Sequence, residues 1–217
     1  MTSAIRLIGV LAAFTAAAAL AQQDDGSGRR ASRPAKPSWE FGLTAYPTIV
    51  RGGDNNYTAA IAVADRGPFH LELRHNYEAI NATSAFVGWT FSGGETVTWE
   101  LTPMLGAVRG STQAFAPGLE MSLAWGRFDY YLEGEYVGDH NGRADSYLYA
   151  WSELGFKALE WLRLGVVAQR TRIYGGEREL QRGPFAQVSL GRANFGAYWF
   201  NPGSNEQVFV ASIGVTF

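Results

Sequence analysis

From Trp39 to Phe217 the chain alternates apolar and polar side chains in one segment after another. In 115–125, Phe115, Pro117, Leu119, Met121, Leu123 and Trp125 share one parity, while Ala116, Gly118, Glu120, Ser122 and Ala124 share the other. A period of two is the side-chain period of a strand. The pattern predicts twelve strands, over 39–49, 56–65, 68–78, 83–92, 95–108, 113–125, 127–137, 146–157, 160–171, 180–190, 193–200 and 207–217. Pro47, Pro103 and Pro117 fall inside three of them, where each lacks a ladder donor. A bulge at any of these prolines would flip the facing of the strand residues beyond it. Ten strands is the count if a proline-bearing segment is not a membrane strand.

The connections alternate in length. Asp65-Arg66-Gly67-Pro68, Ser92-Gly93-Gly94-Glu95, Gly126-Arg127, Ala158-Leu159-Glu160 and Gly191-Arg192-Ala193 are tight, and most carry the glycine that hairpin turns favour. Those between them, 50–55, 79–82, 109–112, 138–145, 172–179 and 201–206, are longer and more polar. This asymmetry predicts an all-β fold: a closed antiparallel transmembrane barrel with short periplasmic turns and longer external loops. Aromatics gather at strand ends. Trp39, Phe69, Trp89, Phe91, Trp99, Trp125, Phe128, Phe156, Phe195 and Phe217 lie on the turn side, and Tyr57, Tyr77, Phe115, Tyr136, Trp199 and Phe209 on the loop side. Two interfacial belts are expected of such a barrel.

The first 21 residues carry one charge, Arg6, then an apolar run from Leu7 to Leu20 and the small-residue site Ala19-Leu20-Ala21. This is the pattern of a cleavable secretory signal. Residues 22–37 hold no large apolar side chain and read as a disordered periplasmic leader, so the barrel occupies 38–217. Beyond the signal no apolar stretch approaches the length of a spanning helix, so any crossing is by strands. Near balance of 18 Lys and Arg against 20 Asp and Glu gives no argument for nucleic acid. The absence of cysteine excludes thiolate catalysis and a disulfide scaffold.

With its leader, the Ala19-Leu20-Ala21 site and the closing strand Val208-Phe209-Val210-Ala211-Ser212-Ile213-Gly214-Val215-Thr216-Phe217, the chain resembles the small bacterial outer-membrane β-barrel, porin-like class. The resemblance implies the outer membrane of a Gram-negative-type bacterium and contact with its lipid and lipopolysaccharide. It also implies recognition of the strand ending at Phe217 by the barrel-assembly machinery. It is architectural, and no family's functional residues carry over.

With the apolar parity toward lipid, strand 68–78 points Phe69, Leu71, Leu73 and Tyr77 outward and His70, Glu72, Arg74 and Asn76 inward. Strand 127–137 points Phe128, Tyr130, Leu132 and Tyr136 outward and Asp129, Tyr131, Glu133 and Glu135 inward. The lumen or constriction candidates are therefore Glu72, Arg74, Glu100, Glu120, Glu133, Glu135, Glu153 and Arg163, with Arg163 placed to pair with Glu153 and Arg74 across from the group. One reading is an acidic constriction that favours cations, since rings of carboxylates select by charge. The other is an internal network that plugs a narrow barrel, because twelve strands lie between a filled and a channel-forming size. The reading taken is a small porin-like channel for ions or small solutes, with a closed structural barrel as the alternative.

An outer-membrane hydrolase using Asp139 and His140 is the remaining alternative. Adjacent residues on one loop are weak evidence, no G-x-S-x-G occurs, and Ser152 has lipid-facing parity. Asp139, Asn141 and Asp145 have calcium-loop-like spacing, but Arg143 occupies a ligand position. No cofactor motif is present.

Overall fold

Alternating β-branched and aromatic residues suit a pleated surface buried on one face, and the chain folds accordingly. The computed structural model describes residues 37–51, 56–140, 146–173 and 178–217. The predicted signal peptide and all but the last residue of the predicted leader lie outside these, as do Asn141 and Asp145. The strands are β1 (Glu40–Val50), β2 (Tyr57–Arg66), β3 (Phe69–His75), β4 (Ala82–Trp89), β5 (Phe91–Gly93), β6 (Thr98–Gly110), β7 (Ala114–Trp125), β8 (Phe128–Asp139), β9 (Tyr147–Leu159), β10 (Leu162–Ile173), β11 (Arg178–Leu190), β12 (Ala193–Phe200) and β13 (Val208–Thr216).

Consecutive strands pair antiparallel, except β4 and β5. β13 returns to pair with β1, Gly42 opposite Thr216, and the ring is closed. The backbone of Phe217 exchanges two 2.9 Å hydrogen bonds with Phe41 beyond the last ladder pair. β4 and β5 are one stave. Both pair with β6 in one continuous register, Gly88 opposite Met104 and Phe91 opposite Leu101, and the ladder lapses opposite Pro103. The barrel therefore has twelve staves, which removes every sheet edge.

No proline creates a bulge. Pro47 keeps its place opposite Thr58 on β2, while the ladder to β13 skips from Ala45 to Thr48 without changing register. Pro103 and Pro117 stay in register in the β6–β7 ladder and each interrupts its other neighbour. A strand residue's N–H faces one side, so a proline costs one ladder bond and leaves the facing intact. The irregularity lies instead beside a turn, where pairing steps from Leu162–Leu159 to Arg163–Lys157 and Ala158 is the extra residue.

The facing follows parity. Leu73, Phe115, Leu119, Leu154, Val166 and Ile213 are exposed on the outer wall, and Glu72, Arg74, Glu133, Glu135 and Glu153 are buried inside. Two belt assignments are corrected. Tyr57 shares its face with buried Ala59 and Ile61 and packs against the interior. Tyr77 is 2% exposed and also points inward. The reason is local: β3 ends at His75 and not at 78, because Asn76 takes φ +55 and turns the chain across the barrel mouth. The lumen is also two-sided. β1, β2 and β13 contribute Tyr46, Ala59, Ile61, Val208 and Val210, while β3, β8 and β9 supply Glu72, Arg74, Glu133, Glu135 and Glu153.

Candidate functional site in the barrel lumen

Alternation along β3 places His70, Glu72 and Arg74 on one inward face. Arg74 is wholly buried. Its Nε donates to Glu72 at 2.5 Å, and its Nη1 donates to Glu133 at 2.9 Å and Glu135 at 3.0 Å, with Glu78 at 3.6 Å. Glu133 and Glu135 belong to β8, four staves around the ring. The guanidinium carbon lies over two rings, 4.6 Å from the Tyr77 centroid and 4.4 Å from that of Phe86, within cation–π range of each.

The β3–β4 connection completes this bridge. Tyr77 donates its hydroxyl to Glu133 at 2.8 Å and meets Tyr149 of β9 edge-on at 5.9 Å. Glu78 accepts from Ser84 at 2.7 Å, and its backbone carbonyl accepts from Tyr147 at 2.6 Å. Burial pushes the Glu78 carboxyl above the usual carboxylate range, against the opposing pull of Arg74. The β3–β4 connection thus folds into the lumen and ties β3 to β8 and β9.

A second centre forms nearer the turn side. Arg163 on β10 pairs with Asp129 and Glu153 and donates to Gln187 at 2.6 Å. Gln187 donates to Tyr198 at 2.6 Å, and Trp151 donates to Glu153 at 3.2 Å. Trp151 meets Tyr198 and Phe200 edge-on at 5.6 and 5.4 Å. Arg74, Glu133, Trp151, Glu153 and Phe200 show no exposure, so water touches none of them. The middle of the lumen is filled with side chains.

The two arginines share a device. Phe86 lies over Gly106, its partner across the β4–β6 ladder, where an added Cβ would come within 2.4 Å of the ring. Phe185 lies over Gly165, its partner across β10–β11, with the corresponding distance 2.6 Å. Arg163 rests on Phe185 at 4.6 Å, as Arg74 rests on Phe86. Each glycine makes room for the ring that carries a guanidinium. Gly106→Ala is expected to cost about 1–3 kcal/mol by overpacking, read from the urea midpoint of tryptophan fluorescence. An unchanged midpoint would mean that the Phe86 ring has another resting place.

Of the sequence candidates, the structure joins Glu72, Arg74, Glu133 and Glu135 in one network and Glu153 with Arg163 in the other. Glu120 stands directly opposite Glu133 in the β7–β8 ladder and accepts from Tyr131 at 2.9 Å. Glu100 is half-buried toward the turn-side mouth and joins none of the ion pairs among the described residues. His140 is exposed just after β8, its backbone N–H bonded to Gln113. Sequence reasoning missed Tyr77, Glu78 and the two Gly–Phe pairs. Asn76, a residue that tolerates positive φ, was the one signal for the early turn.

Among solved structures, the KdgM porin aligns with a TM-score of 0.59 at 8% identity, covering 81% of this chain and 99% of that one. The KdgM porin in complex with disordered oligogalacturonate gives the same figures. The NanC porin aligns with a TM-score of 0.53 at 9% identity, covering 82% and 98%. At these identities the likeness is one of fold: the chain is a closed antiparallel β-barrel of the architecture that those porins share. No protein-family model matches the sequence, and no curated protein sequence matches it.

Proposed function

We propose that the chain is a narrow outer-membrane conduit that favours small cations and is held shut by the Arg74 bridge in the conformation described. The observation that carries this reading is an excess of carboxyl groups over guanidinium groups in the lumen. Glu72, Glu78, Glu133, Glu135, Asp129 and Glu153 surround the two guanidinium groups of Arg74 and Arg163. Glu78 Oε2 and Glu135 Oε1 are buried without a hydrogen-bond partner. A lumen built purely as a plug is most stable when its buried charges balance, because an unpaired buried ion carries several kcal/mol of desolvation penalty. An excess of carboxylates is instead satisfied by cations drawn from solution, and carboxylate rings select for them.

The fold shared with the KdgM and NanC porins supports the porin part of the reading. The oligogalacturonate bound to KdgM is a polyanion, and this acidic lumen opposes such a solute. Outer-membrane lipid and lipopolysaccharide are the proposed surroundings, with the barrel-assembly machinery engaging the strand that ends at Phe217.

Planar-bilayer recording across a salt gradient tests the proposal. Openings of the purified barrel are expected to reverse at a potential of the sign set by cations, and Glu133→Gln with Glu135→Gln is expected to bring that potential toward zero. An anion-signed potential would overturn the reading. The full burial of Arg74, Trp151, Glu133 and Glu153 favours a second reading, a closed structural barrel. That reading gains if folded wild-type protein and its Arg74→Met variant are both silent.

A further inference from the structure

We propose that His70, Glu72 and Glu120 form a binding site for a divalent transition-metal cation, toward the turn-side end of the lumen. It does not depend on conduction, since the site can hold a metal in an open or a closed barrel. His70 and Glu72 are two residues apart on the inward face of β3, and Glu120 reaches in from β7, three staves around the ring. One ligand atom from each of the three lies within 4.8 Å of the other two. A metal at about 2.0–2.2 Å from nitrogen and oxygen ligands draws such atoms slightly closer, a movement within the range of side-chain rotation.

The imidazole is already oriented for this. His70 Nδ1 is 2.7 Å from Asp65 Oδ1, its cross-strand partner on β2. A histidine ligand characteristically donates its second ring N–H to a carboxylate in this way, which fixes the tautomer and leaves Nε2 as the lone-pair donor. His70 is 6% exposed, and Nε2 has no hydrogen-bond partner. It approaches Glu72 Oε1 at 3.1 Å without hydrogen-bond geometry. When the imidazole is neutral, its Nε2 and Glu72 Oε1 present lone pairs to each other there, and a shared cation resolves the repulsion.

Glu72 is held in place by its other oxygen, which accepts from Arg74. One imidazole with two carboxylates suits zinc, manganese, iron or nickel better than calcium or magnesium, which prefer all-oxygen ligands. The competing arrangement is a doubly protonated imidazole between Asp65 and Glu72, which binds no metal.

Isothermal titration of the refolded, detergent-solubilised barrel with Zn²⁺ at neutral pH distinguishes them, with Mg²⁺ as the comparison. The expected result is one saturable Zn²⁺ site that Mg²⁺ does not occupy at equal concentration. Glu120→Gln is expected to weaken it at least tenfold, and Asp65→Asn about 10–100-fold. His70→Ala should abolish it. Because His70→Ala leaves Glu72 and Asp65 without their shared partner, its folding is checked by circular dichroism, and Glu120→Gln carries the test if it fails. Absence of a Zn²⁺ site in folded wild-type protein would overturn the proposal. So would equal affinity in wild type and Glu120→Gln, which would assign the heat to exposed His75 or His140. Neither outcome bears on the reversal potential, so this inference and the conduit reading fail separately.

Discussion

Replacing Arg74 with Met is expected to lower the unfolding free energy of the barrel by about 3–5 kcal/mol, the range for breaking a buried ion pair from one side. Methionine keeps the stem length and removes the guanidinium. Glu72, Glu78, Glu133 and Glu135 are then left around a thioether, with Phe86 and Tyr77 deprived of the cation over their rings. Urea-induced unfolding monitored by tryptophan fluorescence measures the loss. Lowering the pH neutralises the freed carboxylates and should recover part of it. Adding Glu72→Gln and Glu133→Gln to Arg74→Met should recover part at neutral pH, as residues sharing one network couple non-additively. In planar bilayers the same variant is expected to open more often and to favour cations more strongly, since the carboxyl groups around Arg74 lose its guanidinium. A folded variant with wild-type stability and wild-type currents would remove Arg74 from both roles.

Leu119→Arg is the second large effect, expected at about 2–4 kcal/mol, the cost of an arginine on the lipid face at mid-depth. Leu119 lies midway along β7 on the outer wall, between Phe115 at the loop end and Trp125 at the turn end. Its neighbour Glu120 faces the lumen and accepts from Tyr131. Unfolding of both variants from lipid vesicles separates the two faces. Leu119→Arg should lose most of the stated energy, and Glu120→Gln should lose less while shifting the reversal potential. If Leu119→Arg were tolerated within a few tenths of a kcal/mol, the outward parity assigned to β7 would be wrong.

The staves and their facing were legible in the sequence because period two is a property of the extended backbone itself. Glu72, Arg74, Glu133, Glu135, Glu153 and Arg163 could be assigned to the inside from their neighbours alone, and the Arg163–Glu153 pair from adjacency of strands. The prolines looked threatening on the same local grounds. They proved harmless because a missing N–H affects one neighbour and leaves the residue count between strands unchanged. Tyr77 was misplaced for the converse reason. Its parity is correct for an extended chain, but Asn76 leaves the extended region and every residue after it is re-aimed.

What the amino-acid order determined by itself is a closed antiparallel barrel with apolar side chains on its outer face and Glu72, Arg74, Glu133, Glu135 and Glu153 turned inward, since the face a side chain takes is decided residue by residue. Which interior groups meet was decided by the tertiary structure. Arg74 reaches Glu133 and Glu135 across 59 and 61 residues of chain, a contact set by barrel radius and stagger, and by a loop that turns inward at one asparagine. Local periodicity carries no information on those distances. Only closure of the ring brings an arginine and four carboxylates to one point.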